Sequence, residues 1–284
     1  YAIMVASAND IALQIAEHVG GSVDGFVQQM NTRAQELGCT NTVFTNPTGL
    51  PDENQHTTAH DMALITKAAI DNESFRAIAE TTSYTIPATN VSGGERVLTN
   101  NFSMLNNTNA SYYQYCLGGR EGYTEASGST LVCGAEKNGV SLIAVVLQGA
   151  SGTTAAEAVS LLNYGFDNFQ LLSLGDNDFD MASGGNVFVP NGTTADALTT
   201  QDGEVQDGQY NRQFLFNGTP VGTAVMSVTS PEEDTAVIEA STQNLTNAQD
   251  YTVSHTSVPY FVIGGIGLFL LLLILFRIVK VAKS

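Results

Sequence analysis

Tryptophan is absent and positive charge is scarce: ten Lys and Arg stand against 28 Asp and Glu, for a net charge of −18. All 28 acidic residues and seven of the ten basic ones precede Thr256, so that part of the chain carries −21. An acidic body repels phosphate backbones, which argues against a nucleic-acid partner; its plain meaning is a soluble surface. Charged residues are only 13 % of the chain and hydrophobic ones 43 %, which excludes a disordered polymer. No repeat of fixed period and no low-complexity tract is present. The three cysteines, Cys39, Cys116 and Cys133, lack metal-site spacing; one disulfide with a thiol left over, or three reduced thiols, both fit. No G-x-S-x-G nucleophile elbow and no H-E-x-x-H zinc motif occurs. His56 and His60 are four apart, but no third ligand accompanies them, and polar surface histidines are the simpler reading. The chain opens on Tyr1 without a signal peptide, so any export signal is expected upstream.

What is present begins with the C-terminal end. Val258 to Phe276 reads VPYFVIGGIGLFLLLLILF, without a charge. As a helix it would be roughly 28 Å long, close to the hydrocarbon thickness of a bilayer. Tyr260 sits at one end, and Arg277, Lys280 and Lys283 follow the other. By the positive-inside rule, the short tail is expected in the cytoplasm and the body outside it.

Along the rest, Asp10 to His18 predicts a short helix capped by Asn9 or Asp10 and ended by Gly20-Gly21. Ser22 caps a second, whose Val23, Phe26, Val27, Met30, Ala34 and Leu37 recur at helical spacing. Asn46 to Leu50 (NPTGL) is turn chemistry, and Thr58 with Asp61 resembles a capping box opening a helix to about Ile70. Leu131–Ala135 and Val140–Leu147 read as strands joined at Lys137-Asn138-Gly139, and Thr154 to Tyr164 returns to helix. This order predicts an α+β domain over residues 1–172. Over 173–257, Asn-Gly and Asp-Gly pairs punctuate short Val, Phe and Thr runs, which predicts a small all-β domain with a stalk. A transmembrane helix over 258–279 and a basic tail over 280–284 complete the expected layout.

Two constellations carry chemistry. Ser7-Ala8-Asn9 stands at a helix start; alone, such a triplet reads as an ordinary cap. Gly118-Gly119-Arg120-Glu121-Gly122-Tyr123-Thr124 sets a cation among glycines, where a backbone can approach a substrate closely. With their flanks (YAIMVASANDIALQIAEHVGG, the segment from FVQQMNTRAQELG to HDMALITKAA, GGREGYTEASGSTLVCGAEKNGVSLIAVVL and LLNYGF) these segments resemble the D-alanyl-D-alanine carboxypeptidases, the low-molecular-mass penicillin-binding proteins, over about Tyr1 to Phe169.

The resemblance implies a partial β-lactamase/transpeptidase-like domain of helices plus antiparallel sheet, and a serine peptidase working through S-x-x-K, S-x-N and K-T-G motifs. Ser7 and Asn9 match S-x-N as catalytic residues. Arg120, Glu121 and Gly122 stand where K-T-G is expected to bind substrate, and the Tyr123 N–H would complete the oxyanion hole. Two departures follow. None of the four lysines has a serine three positions before it: Lys67, Lys137, Lys280 and Lys283 are preceded there by Leu64, Gly134, Arg277 and Lys280. The expectation is that the nucleophile lies upstream and that residues 1–284 alone have no acyl-transfer activity. Glu121 replaces a hydroxyl with a charge that would repel a substrate carboxylate, unless it turns from the pocket and pairs with Arg120. The implied activity is trimming of peptidoglycan stem peptides, with β-lactams as inhibitors, a membrane tether and no metal or organic cofactor. An impaired relative that binds wall peptides or partner proteins is the alternative; a β-lactamase-like or endopeptidase specificity is a third.

Overall fold

The Ser22 hydroxyl accepts from the Gly25 N–H at 3.0 Å, so helix α3 (Val23–Glu36) starts where a side chain replaces the missing helical acceptor. A computed structural model describes residues 1–175 and 181–227 of the chain. The expected membrane helix and basic tail lie outside the described residues. Among those described, no helix is long and apolar enough to cross a membrane.

Residues 1–167 form one compact unit. Helices α1 (Ala2–Ala6) and α2 (Asn9–Gly20) precede α3; α4 (Ala59–Ile70) and α5 (Glu73–Ala79) follow it. Strands β1 (Ser83–Ile86) and β2 (Arg96–Thr99) pair as a hairpin. Then β3 (Cys116–Thr124), β4 (Gly128–Lys137) and β5 (Val140–Gly149) form an antiparallel meander, and α6 (Thr154–Asn168) closes the unit. Asn138 and Gly139, at φ 54 and 77°, make the left-handed turn the β4–β5 hairpin needs. The core joins Phe26 and Met30 of α3, Met62, Ile65 and Ile70 of α4, and Phe75 of α5 to Val132, Ile143 and Val145 of the sheet.

Two local expectations are corrected, and one alternative left open is decided. The residue capping α2 is Ala8, with no side-chain bond, rather than Asn9 or Asp10. The Thr58 hydroxyl accepts from the Asp61 N–H at 3.2 Å, but Asp61 turns away from Thr58 to bond Asn41 and Thr42. The cysteines are all free thiols, Cys39 and Cys133 buried and Cys116 partly so.

A second unit starts at Asn168. Its β6 (Phe169–Ser173), straddling the boundary expected near residue 172, pairs with β8 (Asn186–Pro190). Strands β7 (Met181–Gly184), β9 (Leu198–Asp202), β10 (Gln209–Phe216) and β11 (Thr219–Ser227) form an antiparallel sheet in the order β7-β11-β10-β9. Val187, Val189, Phe214, Val221 and Met226 make its core.

Candidate active site

A cleft of about 620 Å³ in the first unit is bounded by the α1–α2 junction, the loop from Phe44 to Thr57, and the second half of β3. Ser7 and Asn9 both line it. Ser7 follows the last residue of α1 with φ 53° and ψ 38°, a left-handed conformation costly for a residue with a Cβ. Its N–H bonds the Ile3 carbonyl at 3.1 Å, and Asn9 opens α2 two positions on. The triplet is therefore a connector between helices at a cleft wall, and Ser7 is not the cap of α2.

On β3, Glu121, Gly122 and Tyr123 line the cleft. Arg120 is buried and directed inward: one guanidinium nitrogen donates to the Met4 carbonyl at 2.7 Å and to Asn101 Oδ1 at 3.1 Å. Burial draws its pKa below the ordinary arginine value, and the neighbouring Glu121 charge opposes that shift. The Glu121 carboxylate accepts from the Ser103 N–H at 3.0 Å and the Ser103 hydroxyl at 3.2 Å. Neither expectation for Glu121 holds whole, because it faces the cleft but is held by Ser103 and not by Arg120.

Strand β3 can carry these groups because Gly119 lets a loop press onto it. A Cβ on Gly119 would lie 2.3 Å from the Val132 carbonyl and 2.7 Å from the Phe102 ring. Buried Phe102 takes that space, which brings Asn101 to Arg120 and Ser103 to Glu121. Neither residue carries a motif. The only local signal is the Asn100-Asn101 pair, a loop-forming composition.

The third wall is fixed by side chains bonding backbone. Asn46 Oδ1 accepts from the Thr48 and Gly49 N–H groups at 3.1 and 2.8 Å, and Gln55 Oε1 accepts from the Thr45 N–H at 3.1 Å. Asn31 of α3 donates to the Phe44 carbonyl and accepts from its N–H, both at 2.8 Å. The base of the loop meets Asp61, which is 1 % exposed and accepts from the Asn41 N–H at 2.8 Å and Thr42 Oγ1 at 2.6 Å. Burial pushes this carboxyl upward, but bonds from Thr42, Asn41, His60 and Thr40 outweigh it and leave its pKa below the ordinary aspartate value. His56 lies before α4, bridged to Val43, and no group of three metal-binding side chains occurs among the described residues.

The family model described as D-alanyl-D-alanine carboxypeptidase matches residues 1–151. D-alanyl-D-alanine carboxypeptidase DacF of Bacillus subtilis is 34 % identical over 172 residues, covering 59 % of this chain and 42 % of the relative. DacB2 of Mycobacterium tuberculosis is 33 % identical over 170 residues, covering 58 % and 55 %. The crystal structure of a D-alanyl-D-alanine carboxypeptidase from Mycobacterium tuberculosis superposes with a TM-score of 0.51 at 32 % identity, over 58 % of this chain and 61 % of that one. The chain thus spans about half the length of the curated relatives it matches. The matched segment holds the Ser7–Asn9 connector, the strand with Arg120 and the cleft between them, and the chain belongs to the D-alanyl-D-alanine carboxypeptidase family, the low-molecular-mass penicillin-binding proteins.

Proposed function

We propose that the whole protein is a serine-type D-Ala-D-Ala carboxypeptidase that trims peptidoglycan stem peptides through an acyl-enzyme. The observation that supports this most is the meeting of Ser7 and Asn9 with Glu121, Gly122 and Tyr123 around one cleft, although the two groups lie more than a hundred residues apart. In this reading the Ser7 hydroxyl assists proton transfer, the Asn9 amide holds the peptide, and the Tyr123 N–H donates to the oxyanion. Arg120, behind the wall, supplies positive charge without touching the substrate. No metal or organic cofactor enters the scheme. The reading requires a serine and a lysine from outside residues 1–284, because no S-x-x-K occurs within them. Residues 1–284 alone are accordingly expected to form no acyl-enzyme.

The apolar run at 258–276 supports a single membrane span that holds the body outside the cytoplasm, next to the wall. β-Lactams would acylate the same serine as the peptide does.

One observation favours a second reading. The Glu121 carboxylate in the cleft wall opposes a ligand ending in a carboxylate, which would suit an impaired relative that binds wall peptides or partner proteins. Intact-mass measurement of the full-length protein before and after penicillin separates the two. One covalent adduct supports the peptidase; a folded full-length protein that gains no adduct sinks it and leaves the binder.

A further inference from the structure

We propose that Asn101 is a positioning residue that fixes the Ser7 hydroxyl as a hydrogen-bond donor toward the cleft. The inference rests on the reading of Ser7 as part of the peptide-binding machinery.

The argument begins at Arg120. A guanidinium only donates, so the atom of Asn101 lying 3.1 Å from it must be the amide oxygen. That settles the amide orientation, which is otherwise an assignment between two similar atoms. The Nδ2 group then faces Ser7 and donates to its Oγ at 3.1 Å. Ser7 is thereby the acceptor in this bond, and its own proton must leave in another direction. Ser7 lines the cleft, and its Oγ donates to no other described residue, so the hydroxyl proton is presented to an acceptor in the cleft.

The relay is held in place from both sides. The Asn101 N–H donates to the Val5 carbonyl at 3.3 Å, two residues before Ser7. Asn100 donates through Nδ2 to the Thr81 carbonyl at 2.8 Å and accepts from the Phe102 N–H at 2.9 Å. Phe102 is buried over Gly119. Asn101 itself is exposed, so its contribution is direction, not burial. A carboxylate at this position would accept from Arg120 and from Ser7 alike, which would draw the Ser7 proton away from the cleft.

The test uses Asn101→Asp, Ser7→Ala and the double variant, with binding of a synthetic peptide ending in D-Ala-D-Ala followed by calorimetry and thermal melting run beside it. Loss of one neutral hydrogen bond weakens binding about fivefold. Each single variant should show about that loss. The double variant should be no weaker than either, because both remove the same donor. Asn101→Asp should melt no lower than wild type, since its carboxylate still accepts from Arg120. Losses that multiply to about twenty-fivefold, or Asn101→Asp binding like wild type, overturn the proposal. A readout without ligand is the side-chain 1H–15N signal of Asn101, which should move on Ser7→Ala; an unmoved signal also overturns it. If the wild type binds no such peptide, the peptidase reading fails, and the spectroscopic arm alone decides the role of Asn101.

Discussion

The carboxylate of Glu121 is gripped by Ser103 through both its N–H, at 3.0 Å, and its hydroxyl, at 3.2 Å, while it forms part of the cleft wall. The grip keeps a negative charge where the K-T-G pattern has a hydroxyl. Glu121→Gln removes the charge and keeps an acceptor for Ser103. A peptide ending in a free carboxylate should then bind about tenfold more tightly, equivalent to about 1.4 kcal/mol. Glu121→Thr should bind tighter still by restoring a donor, and should cost about 1 kcal/mol of stability through the lost Ser103 bonds. Calorimetric affinities that do not rise in either variant would show that the ligand never senses this charge.

Part of this arrangement was legible in the sequence, and the boundary is physical. Ser22 and Thr58 announced their helices because capping is a bond between residues three apart, 3.0 and 3.2 Å here. Asn138-Gly139 announced its hairpin because two consecutive left-handed residues strongly restrict sequence. Strands β1 and β2 gave no such signal: they form an exposed ribbon with only half-buried or exposed positions, so no apolar alternation marks them. Asn101 and Ser103 were missed for another reason. The Asn101–Ser7 bond joins residues 94 positions apart, and it depends on a ring filling the space above Gly119. Motif spacing identified Ser7 and Arg120, but not the loop that joins them.

Gly119 should tolerate a side chain far less than Gly122 on the same strand. Gly119→Ala places a methyl 2.3 Å from the Val132 carbonyl and against Phe102, so the loop from Asn100 to Ser103 must lift. Overpacking of this kind costs about 1–3 kcal/mol. At Gly122 the nearest atom to a new Cβ is Thr130 Oγ1 at 3.6 Å, an ordinary contact. Urea unfolding should therefore show a large loss for Gly119→Ala and little for Gly122→Ala. Equal losses would mean that the close approach of Phe102 does not govern this strand.

The three thiols should be inert in the native protein. Burial, followed by the Asp61 charge, raises Cys39 to about 12; burial raises Cys116 to about 12 and lifts Cys133 well above the ordinary thiol value. Reactivity follows the thiolate, so labelling with a disulfide reagent at pH 8 should run about a thousandfold slower than in urea. Three thiols should then react after unfolding. A fast native thiol would contradict the burial, and fewer than three in urea would reveal a disulfide.

Asp61 links stability of the cleft wall to pH. Its folded pKa is lowered, because the bonds from Thr42 and Asn41 favour the charged form more than burial disfavours it. The resulting stabilisation is present above the unfolded value, about 3.9, and is lost as pH falls through the lower folded one. Asp61→Asn keeps the shape but turns an amide N–H toward groups that already donate, which should cost about 1–3 kcal/mol at pH 7. The cost should be felt first at the loop it anchors, as faster exchange of the Asn41 amide and of the Val43–His56 bridge amides. Denaturation at a series of pH values should show the two proteins drawing together below about pH 4, where the unfolded chain takes up a proton that the folded carboxylate still refuses. A difference that persists undiminished at pH 2.5 would assign the loss to packing. The charge of Asp61 would then have no part in holding the cleft wall.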